Sequence, residues 1–591
     1  MANGLSFIPK SRYVNVTLTQ RSHRAIALVI LGSAVVGIFG FRLAQLQILQ
    51  GQYHRDRAEK NRIALIPIPA DRGNIIDRNG KLLAANRLAR SVYLRPREQT
   101  QAEWAETAKR LAPILQVPVN EILDKLKQAG YRSAMPVRIS RNLSLQAFVK
   151  LVEKSDEFPG MEIRGESNRY YPRGSLGAHV LGYISEATAE DLKANPNYPM
   201  GMLVGQMGIE RLANKALQGT WGGQVVEVDA SGQEIDNLGL KPPVSGESVR
   251  LTLDLALQRT AEKALGQRRG AVVVLDVKTG GVLTLASSPT FDPNLFTRRI
   301  SKSEWRQLQA QADPFLNRAL QGYPPGSTFK VVTAAAGMQS GRFSPHSTLM
   351  TYAAINLGGH LFHEHGAPQG VIGFRDALAF SSNTFFYQIG LSVGPTQISR
   401  WGQRLGIGKM TDLGLDGGSH GMIPTPEEKE KLFKEPWYGG DTVSTSIGQG
   451  LVQATPLELA VVYAAIANGG YRVKPHLLTS ETATKRPQKV GLKPEALAVL
   501  KDGLKAVVRE GTARRLNDGS IPLTAGKTGT AEVLGQRSNS VFAGFAPAVN
   551  PRIAIAVIVE NGGYGAEAAV PIAHEVYKTY FNPSNTRKAK Q

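Results

Sequence analysis

Tyr323-Pro324-Pro325-Gly326-Ser327-Thr328-Phe329-Lys330 sets a serine and a lysine three residues apart, directly behind a Pro-Pro-Gly break. Residues 331–338 are apolar, so the segment reads as a helix with Ser327 at its N-terminus. There, free N–H groups and the helix dipole favour developing negative charge. A serine hydroxyl is a weak nucleophile and needs a neighbouring base. Lys330, one turn on, is placed to reach it. To act as base the lysine must spend time neutral, which burial and a nearby cation favour. Alone the pattern means little, since Ser-x-x-Lys arises by chance about once or twice in a chain this long.

Two later motifs change that. Ser381-Ser382-Asn383 follows 54 residues after Ser327, and Lys527-Thr528-Gly529-Thr530 another 146 residues on. Ser381 can relay a proton toward a leaving amine, and Asn383 offers a donor and an acceptor to a substrate amide. Lys527, on an expected strand, supplies positive potential that favours a neutral Lys330. Thr528 and Thr530, flanking Gly529, can hold a terminal carboxylate. The backbone N–H groups of Ser327 and Thr530 would stabilise an oxyanion. A second Lys-Thr-Gly, at Lys278-Thr279-Gly280, precedes the serine and falls in a hairpin turn, so it carries no chemistry. A phosphate-binding loop ending at Gly526-Lys527-Thr528 would need glycine at 521, which is Ile521.

From about residue 246 the chain reads as one α+β domain. Residues 249–253 alternate as a strand, and Leu257, Ala261, Ala264 and Leu265 share one helical face, which predicts a helix over 255–267. Residues 271–277 and 282–286 are apolar strands joined as a hairpin. Two more strands are expected at 540–545 and 553–559, and a last helix at 568–581. Strands at both ends predict a sheet closed by both termini. Residues 46–245 read as an extended mixed module, with helices over 103–115 and 119–128 and a tight turn at Asp77-Arg78-Asn79-Gly80.

Residues 25–41, AIALVILGSAVVGIFGF, carry no charge. As a helix they span about 26 Å, just short of a ~30 Å hydrocarbon core, and Leu43, Ala44 and Leu46 extend them while Arg42 snorkels. The lead is basic (Lys10, Arg12, Arg21, Arg24) and no Ala-x-Ala site follows the apolar run, so an uncleaved anchor is expected. The expected layout is a cytoplasmic tail over 1–24, a single transmembrane anchor over 25–45 and the rest outside the cytoplasm, since long domains translocate largely regardless of charge. Residues 583–591 read as a flexible tail. Seventy basic against 48 acidic residues give a net charge of +22. That suits nucleic acid, an anionic membrane or a carboxylate-rich polymer; no zinc-finger spacing, RNP motif or basic zipper supports nucleic acid. The absence of cysteine excludes disulfides, CxxC zinc sites and thiol nucleophiles. The 61 glycines and 33 prolines show no three-residue period, which excludes collagen.

The ordered SxxK, SxN and KTG set is shared by β-lactamases and penicillin-binding proteins. The whole chain resembles a class B penicillin-binding protein, a monofunctional peptidoglycan D,D-transpeptidase. Arg72-Gly73-Asn74-Ile75-Ile76-Asp77-Arg78-Asn79-Gly80 is similar to the family's pedestal signature. Arg169-Tyr170-Tyr171-Pro172, His179-Val180-Leu181-Gly182 and Gly208-Ile209-Glu210 are similar to further pedestal motifs, most of them read as turn residues without chemistry. Ser446-Ile447-Gly448-Gln449-Gly450 and Thr455-Pro456 resemble a loop that supports the active site.

The resemblance implies a non-catalytic, dimerisation-like pedestal over 46–245 and a penicillin-binding, β-lactamase-like domain over 246–582, an antiparallel sheet flanked by helices. It implies a serine acyl-enzyme formed on D-Ala-D-Ala stem peptides, inhibition by β-lactams and a SEDS-family glycosyltransferase partner among elongation-complex membrane proteins. The implied location is the bacterial inner membrane, with the catalytic domain on the periplasmic side. Tyr323 to Lys330, Asn383-Thr384-Phe385-Phe386-Tyr387-Gln388 and Trp437-Tyr438-Gly439-Gly440-Asp441 resemble the elongation type, penicillin-binding protein 2, more than the division type. A carboxypeptidase or β-lactamase would pass the acyl group to water instead, but no water-activating glutamate motif is found. His360, His363 and His365, with Glu364, could in principle bind zinc. The cysteine and aspartates of the metal site in some elongation-type relatives have no match here, so no metal and no cofactor are expected.

Overall fold

The computed structural model describes residues 18–53, 63–133, 135–199, 201–229, 234–409 and 413–582. Most of the expected cytoplasmic tail, part of the stalk and the C-terminal tail lie outside the described residues. The chain forms two compact units, one of residues 1–67, 132–135 and 223–241, the other of the remainder.

In the first unit α1 (Leu18–Ala44) runs into a π-helical turn, Gln45–Leu49. Within Ala25–Leu49 an 18-residue stretch reaches a mean hydropathy of 2.2, and most of the apolar side chains are exposed. Among the described residues this is the one helix long and apolar enough to cross a membrane. The unit also holds a three-stranded sheet, in the order Ile63–Ile68, Gly222–Val228, Glu234–Lys241.

The second unit begins with the pedestal strands. Asp77 makes the expected turn, its Oδ1 accepting from the N–H groups of Asn79 and Lys81 at 2.8 Å. Gly80 takes φ +80° there, a left-handed conformation that favours glycine. The long strand β1 (Leu82–Leu94) pairs antiparallel with β2 (Val137–Ser140) and with β3 (Met161–Tyr170). Three of the quoted motifs meet beside it. The buried Glu210 carboxylate accepts from Arg72 Nε and Arg169 Nε, each at 2.6 Å, and from Tyr171 Oη at 3.2 Å. These motifs therefore build an ionic core, more than the turns read from their glycines and prolines.

Only Val249–Arg250 of the expected 249–253 strand forms, and it pairs in parallel with Ile75–Ile76 of the pedestal sheet. Asp77 Oδ2 accepts from Leu255 N–H, and Arg78 N–H donates to Leu253 C=O. The stretch around residue 250 is thus tied to the Ile75–Arg78 segment by backbone bonds and by the Asp77 carboxylate.

Beyond it α2 (Leu255–Leu265) leads to β4 (Gly270–Asp276) and β5 (Val282–Ser288). The chain then leaves the sheet for a helical section containing α3 (Lys330–Gln339), α4 (Asn383–Val393) and α5 (Pro456–Ala467). It returns through β6 (Ala525–Ala531), β7 (Asn539–Ala546) and β8 (Ile553–Val559), and ends on α6 (Ala569–Phe581). The sheet order is β5-β4-β8-β7-β6, antiparallel throughout, so N-terminal and C-terminal strands close it as expected.

Alternation along β4 serves two cores, because successive strand side chains point to opposite faces. Val272 and Val274 pack with Leu257, Ala261 and Val576 of α2 and α6. Ala271, Val273 and Leu275 join the opposite core, with Phe329, Val331 and the residues of α5. Helix α5 is buried all round, and a Thr455–Glu458 capping box starts it.

Candidate active site

Ser327 lies in a single 3₁₀ turn, Gly326–Phe329, that feeds α3. Three glycines let this turn lie against β6. A Cβ on Gly326 would sit 2.8 Å from Thr530 O, one on Gly529 2.7 Å from Pro325 O, and one on Gly448 2.4 Å from Gly326 O. No larger residue fits such approaches without moving backbone. Gly326 N–H also donates to Gly448 C=O at 2.9 Å, and Gln449 Nε2 donates to Thr530 C=O at 3.1 Å. From below, Tyr463 Oη of α5 donates to Thr328 C=O at 2.9 Å. The Ser446–Gly450 loop and Gly529 thus act as the support that brings the first and third motifs together.

Ser327, Ser381, Asn383, Thr528 and Thr530 line one cleft of about 550 Å³, and His365 joins them on its wall. Lys330 and Lys527 are fully buried beneath it. Lys330 Nζ donates to Ser381 C=O at 2.6 Å, to Asn383 Oδ1 at 2.7 Å and to Ser381 Oγ at 3.2 Å. This departs from the direct Lys330–Ser327 bond expected from their spacing. The amine is instead satisfied by the second motif, whose carbonyl and amide oxygens accept better than a hydroxyl. Among the described residues Ser327 Oγ makes no hydrogen bond, and Ser327 lines the cleft. Ser381 is held at φ +61°, a costly conformation for a non-glycine residue, of the kind kept where geometry serves a site.

Burial pushes the Lys330 amine well below its ordinary pKa, and the Lys527 charge pushes the same way. Burial alone brings Lys527 down to about 7. Among the described residues no carboxylate pairs with either lysine; Glu364 only partly opposes the shift on Lys330. Thr528 Oγ1 shares a hydrogen bond with Thr512 Oγ1 at 2.5 Å.

Glu364 is the residue that sequence reasoning missed. Its carboxylate accepts from Ser382 Oγ at 2.6 Å, Thr384 Oγ1 at 2.5 Å, Thr384 N–H at 3.1 Å and the Asn383 N–H. It therefore caps α4, with its negative charge at the positive end of the helix dipole. Asn383 Nδ2 and Tyr387 Oη both donate to His363 C=O. The segment read as a histidine cluster contributes a carboxylate and a carbonyl. No local pattern announces this, because Glu364 reaches α4 through the fold. Among the described residues no group of three or more histidines and acids is arranged to hold a metal. Burial, with Lys330 and Lys527 nearby, lowers the His365 pKa.

Residues 270–578 match the family model of the penicillin-binding protein transpeptidase domain, and residues 67–251 that of the penicillin-binding protein dimerisation domain. The chain is 36% identical to the peptidoglycan D,D-transpeptidase MrdA of Acinetobacter baumannii, over 92% of this chain and 85% of the relative. It is similar to penicillin-binding protein PBP2 of Helicobacter pylori, solved in complex with MreC, with a TM-score of 0.78, 29% identity and coverage of 88% of this chain and 99% of that one. A chain from a solved peptidoglycan synthase complex that coordinates polymerization and crosslinking aligns with a TM-score of 0.71 and 33% identity, covering 94% of this chain and 98% of that chain.

Proposed function

The chain belongs to the penicillin-binding protein transpeptidases and is an elongation-type peptidoglycan D,D-transpeptidase, and from that premise we propose how its residues divide the reaction. Ser327 Oγ attacks the carbonyl carbon between the two D-alanines of a stem peptide. Lys330, neutral through burial and the Lys527 charge, takes the serine proton, aided by the Ser381 hydroxyl. The N–H groups of Ser327 and Thr530 stabilise the oxyanion. Ser381 passes the proton to the departing D-Ala amine, leaving an ester on Ser327. An acceptor amine then attacks that ester, forms the cross-link and frees the serine. Asn383 holds the substrate backbone, while Lys527, Thr528 and Thr530 draw its terminal carboxylate, with Gly529 fixing their strand against the serine turn. The observation that carries this reading is the unpartnered Ser327 Oγ above two buried, uncompensated lysines.

The same premise supports residues 46–245 as pedestal and 246–582 as catalytic domain. It supports an anchor over 25–45 in the inner membrane with the catalytic domain in the periplasm. Because this enzyme type makes no glycan, a SEDS-family polymerase in the same membrane is the expected partner. That fits the relatives solved with MreC and within a peptidoglycan synthase complex.

The test is to incubate the purified chain with a fluorescent penicillin and map the labelled peptide. A lasting adduct on Ser327, absent from Ser327→Ala, is expected. Label on another residue would refute the assignment, and rapid release of the adduct would point to a hydrolase.

A further inference from the structure

A cavity of about 50 Å³ in the pedestal is lined by four arginines, Arg72, Arg138, Arg141 and Arg169. That is several times the roughly 10–15 Å³ one water needs on this measure. Arg169 and Arg72 are only 2% and 7% exposed. Each arginine is partly satisfied. Arg72 spends Nε and Nη2 on Glu210, and Arg169 spends Nε on Glu210 and Nη1 on Gly73 C=O. Arg141 Nη2 donates to Gly201 C=O at 2.7 Å, as Arg138 Nη2 does at 3.0 Å. Among the described residues Arg72 Nη1, Arg169 Nη2 and Arg141 Nε are buried and find no partner.

The acids cannot serve them. Both Glu210 oxygens are taken, Glu166 on the cavity wall accepts from Tyr93 Oη and pairs with Arg138 at 3.6 Å through the same oxygen, and Glu186 is half-exposed and shared between Arg138 and Arg141. Four guanidinium charges thus face three carboxylates. Burial above all, and then Arg138 beside it, push the Arg141 pKa down to about 10, whereas Tyr93, Glu166 and Glu186 raise that of Arg138 against its burial, so the shortage of anions falls on Arg141. Buried guanidinium donors are satisfied best by a planar or tetrahedral oxyanion, which accepts several N–H groups at once.

We propose that this pedestal cavity is a binding site for a small oxyanion of the phosphate or carboxylate class, held by the free donors of Arg72, Arg141 and Arg169. The anion would tie together the loop before Ile75–Ile76, the end of β3 and the segment after β2.

The test uses the full-length chain purified in detergent in chloride buffer. Inorganic phosphate, or separately acetate, is titrated by calorimetry at constant ionic strength, with thermal unfolding in parallel. One saturable site and a rising melting temperature are expected, and which anion binds tighter identifies the class. Arg141→Gln lies outside the Glu210 ion pairs, and penicillin labelling of Ser327 shows whether it folds. It should weaken binding at least about tenfold, as loss of a charged hydrogen bond does. Arg141→Lys keeps the charge without the fork and should weaken it less, while Arg259→Gln, on the exposed face of α2, should leave it unchanged. Absence of saturable binding by either anion, or equal affinity in folded Arg141→Gln or Arg141→Lys and the parent chain, would overturn the proposal.

Discussion

Two buried basic clusters among the described residues are treated in opposite ways. Under the cleft, Lys330 and Lys527 sit together with no paired carboxylate, and their pKa values fall. In the pedestal, Arg72 and Arg169 share the buried Glu210, whose carboxyl is held below its ordinary pKa by those two cations against its own burial. A lysine can give up its proton when crowded; an arginine cannot, and needs an anion instead. In the proposed mechanism the first cluster moves protons, while the second ties segments of backbone together. Charge alone does not mark a catalytic site; what matters is whether the buried charge can leave.

The sharpest way to break this contrast is to put an arginine in the lysine site. Lys330→Arg keeps a cation but cannot act as base, so penicillin acylation of Ser327 should slow by about 10²- to 10⁴-fold. Acylation within a few-fold of the parent, in protein whose folding is verified by thermal unfolding, would mean that charge alone suffices there. The converse change removes the anion from the arginine cluster. Glu210→Gln leaves two buried guanidinium groups facing a neutral amide and should cost about 3–5 kcal/mol in denaturant unfolding. A loss below 1 kcal/mol would show that the ionic core is dispensable.

Glu364 tests how the lysine cluster is held. Glu364→Gln should lower the acylation rate about tenfold, through weakened capping of α4. Its lost charge also stops favouring protonated Lys330, so the rise of rate with pH should move to lower pH. A slower variant with an unmoved pH profile would leave Glu364 a purely structural role. The smallest effect is on stability. Lys527 titrates at about 7 when folded and near 10.5 when unfolded. Between those values the unfolded chain holds the extra proton, so stability should climb with pH, by at most about 1.4 kcal/mol per unit, and level off below pH 7. Lys527→Met should lose that component of the slope, as read from unfolding midpoints between pH 7 and 9; an unchanged slope would place the titration elsewhere.

Much of this was legible in the sequence because it is local. The strands β4, β5, β7 and β8 and the helices α2 and α6 declare themselves by period and by flanking turn residues, and all lie within a few residues of expectation. The three motifs are likewise local strings, and their order implied a common cleft. What stayed hidden depends on contacts distant in sequence. Glu210 reads as a turn-flanking acid until Arg72, 138 residues earlier, folds onto it. Glu364 reads as one of four polar residues in a loop until α4 arrives. That Lys330 bonds to Ser381 and not to Ser327 was also beyond spacing, because spacing fixes where a side chain starts and its acceptors fix where it ends.

The claim on which the rest turns is that Lys330 is neutral at working pH and takes the proton of Ser327. The second-order rate of Ser327 acylation by a fluorescent penicillin, measured from pH 5 to 10.5 in the unmodified protein, tests it most directly. A lysine with its pKa depressed by burial and by Lys527 predicts a rate that rises from acid pH and reaches a plateau well below pH 10.5, with no further gain as an ordinary lysine would titrate. A rate that keeps climbing tenfold per pH unit up to 10 would show Lys330 still protonated through neutrality, and would contradict its role as the base.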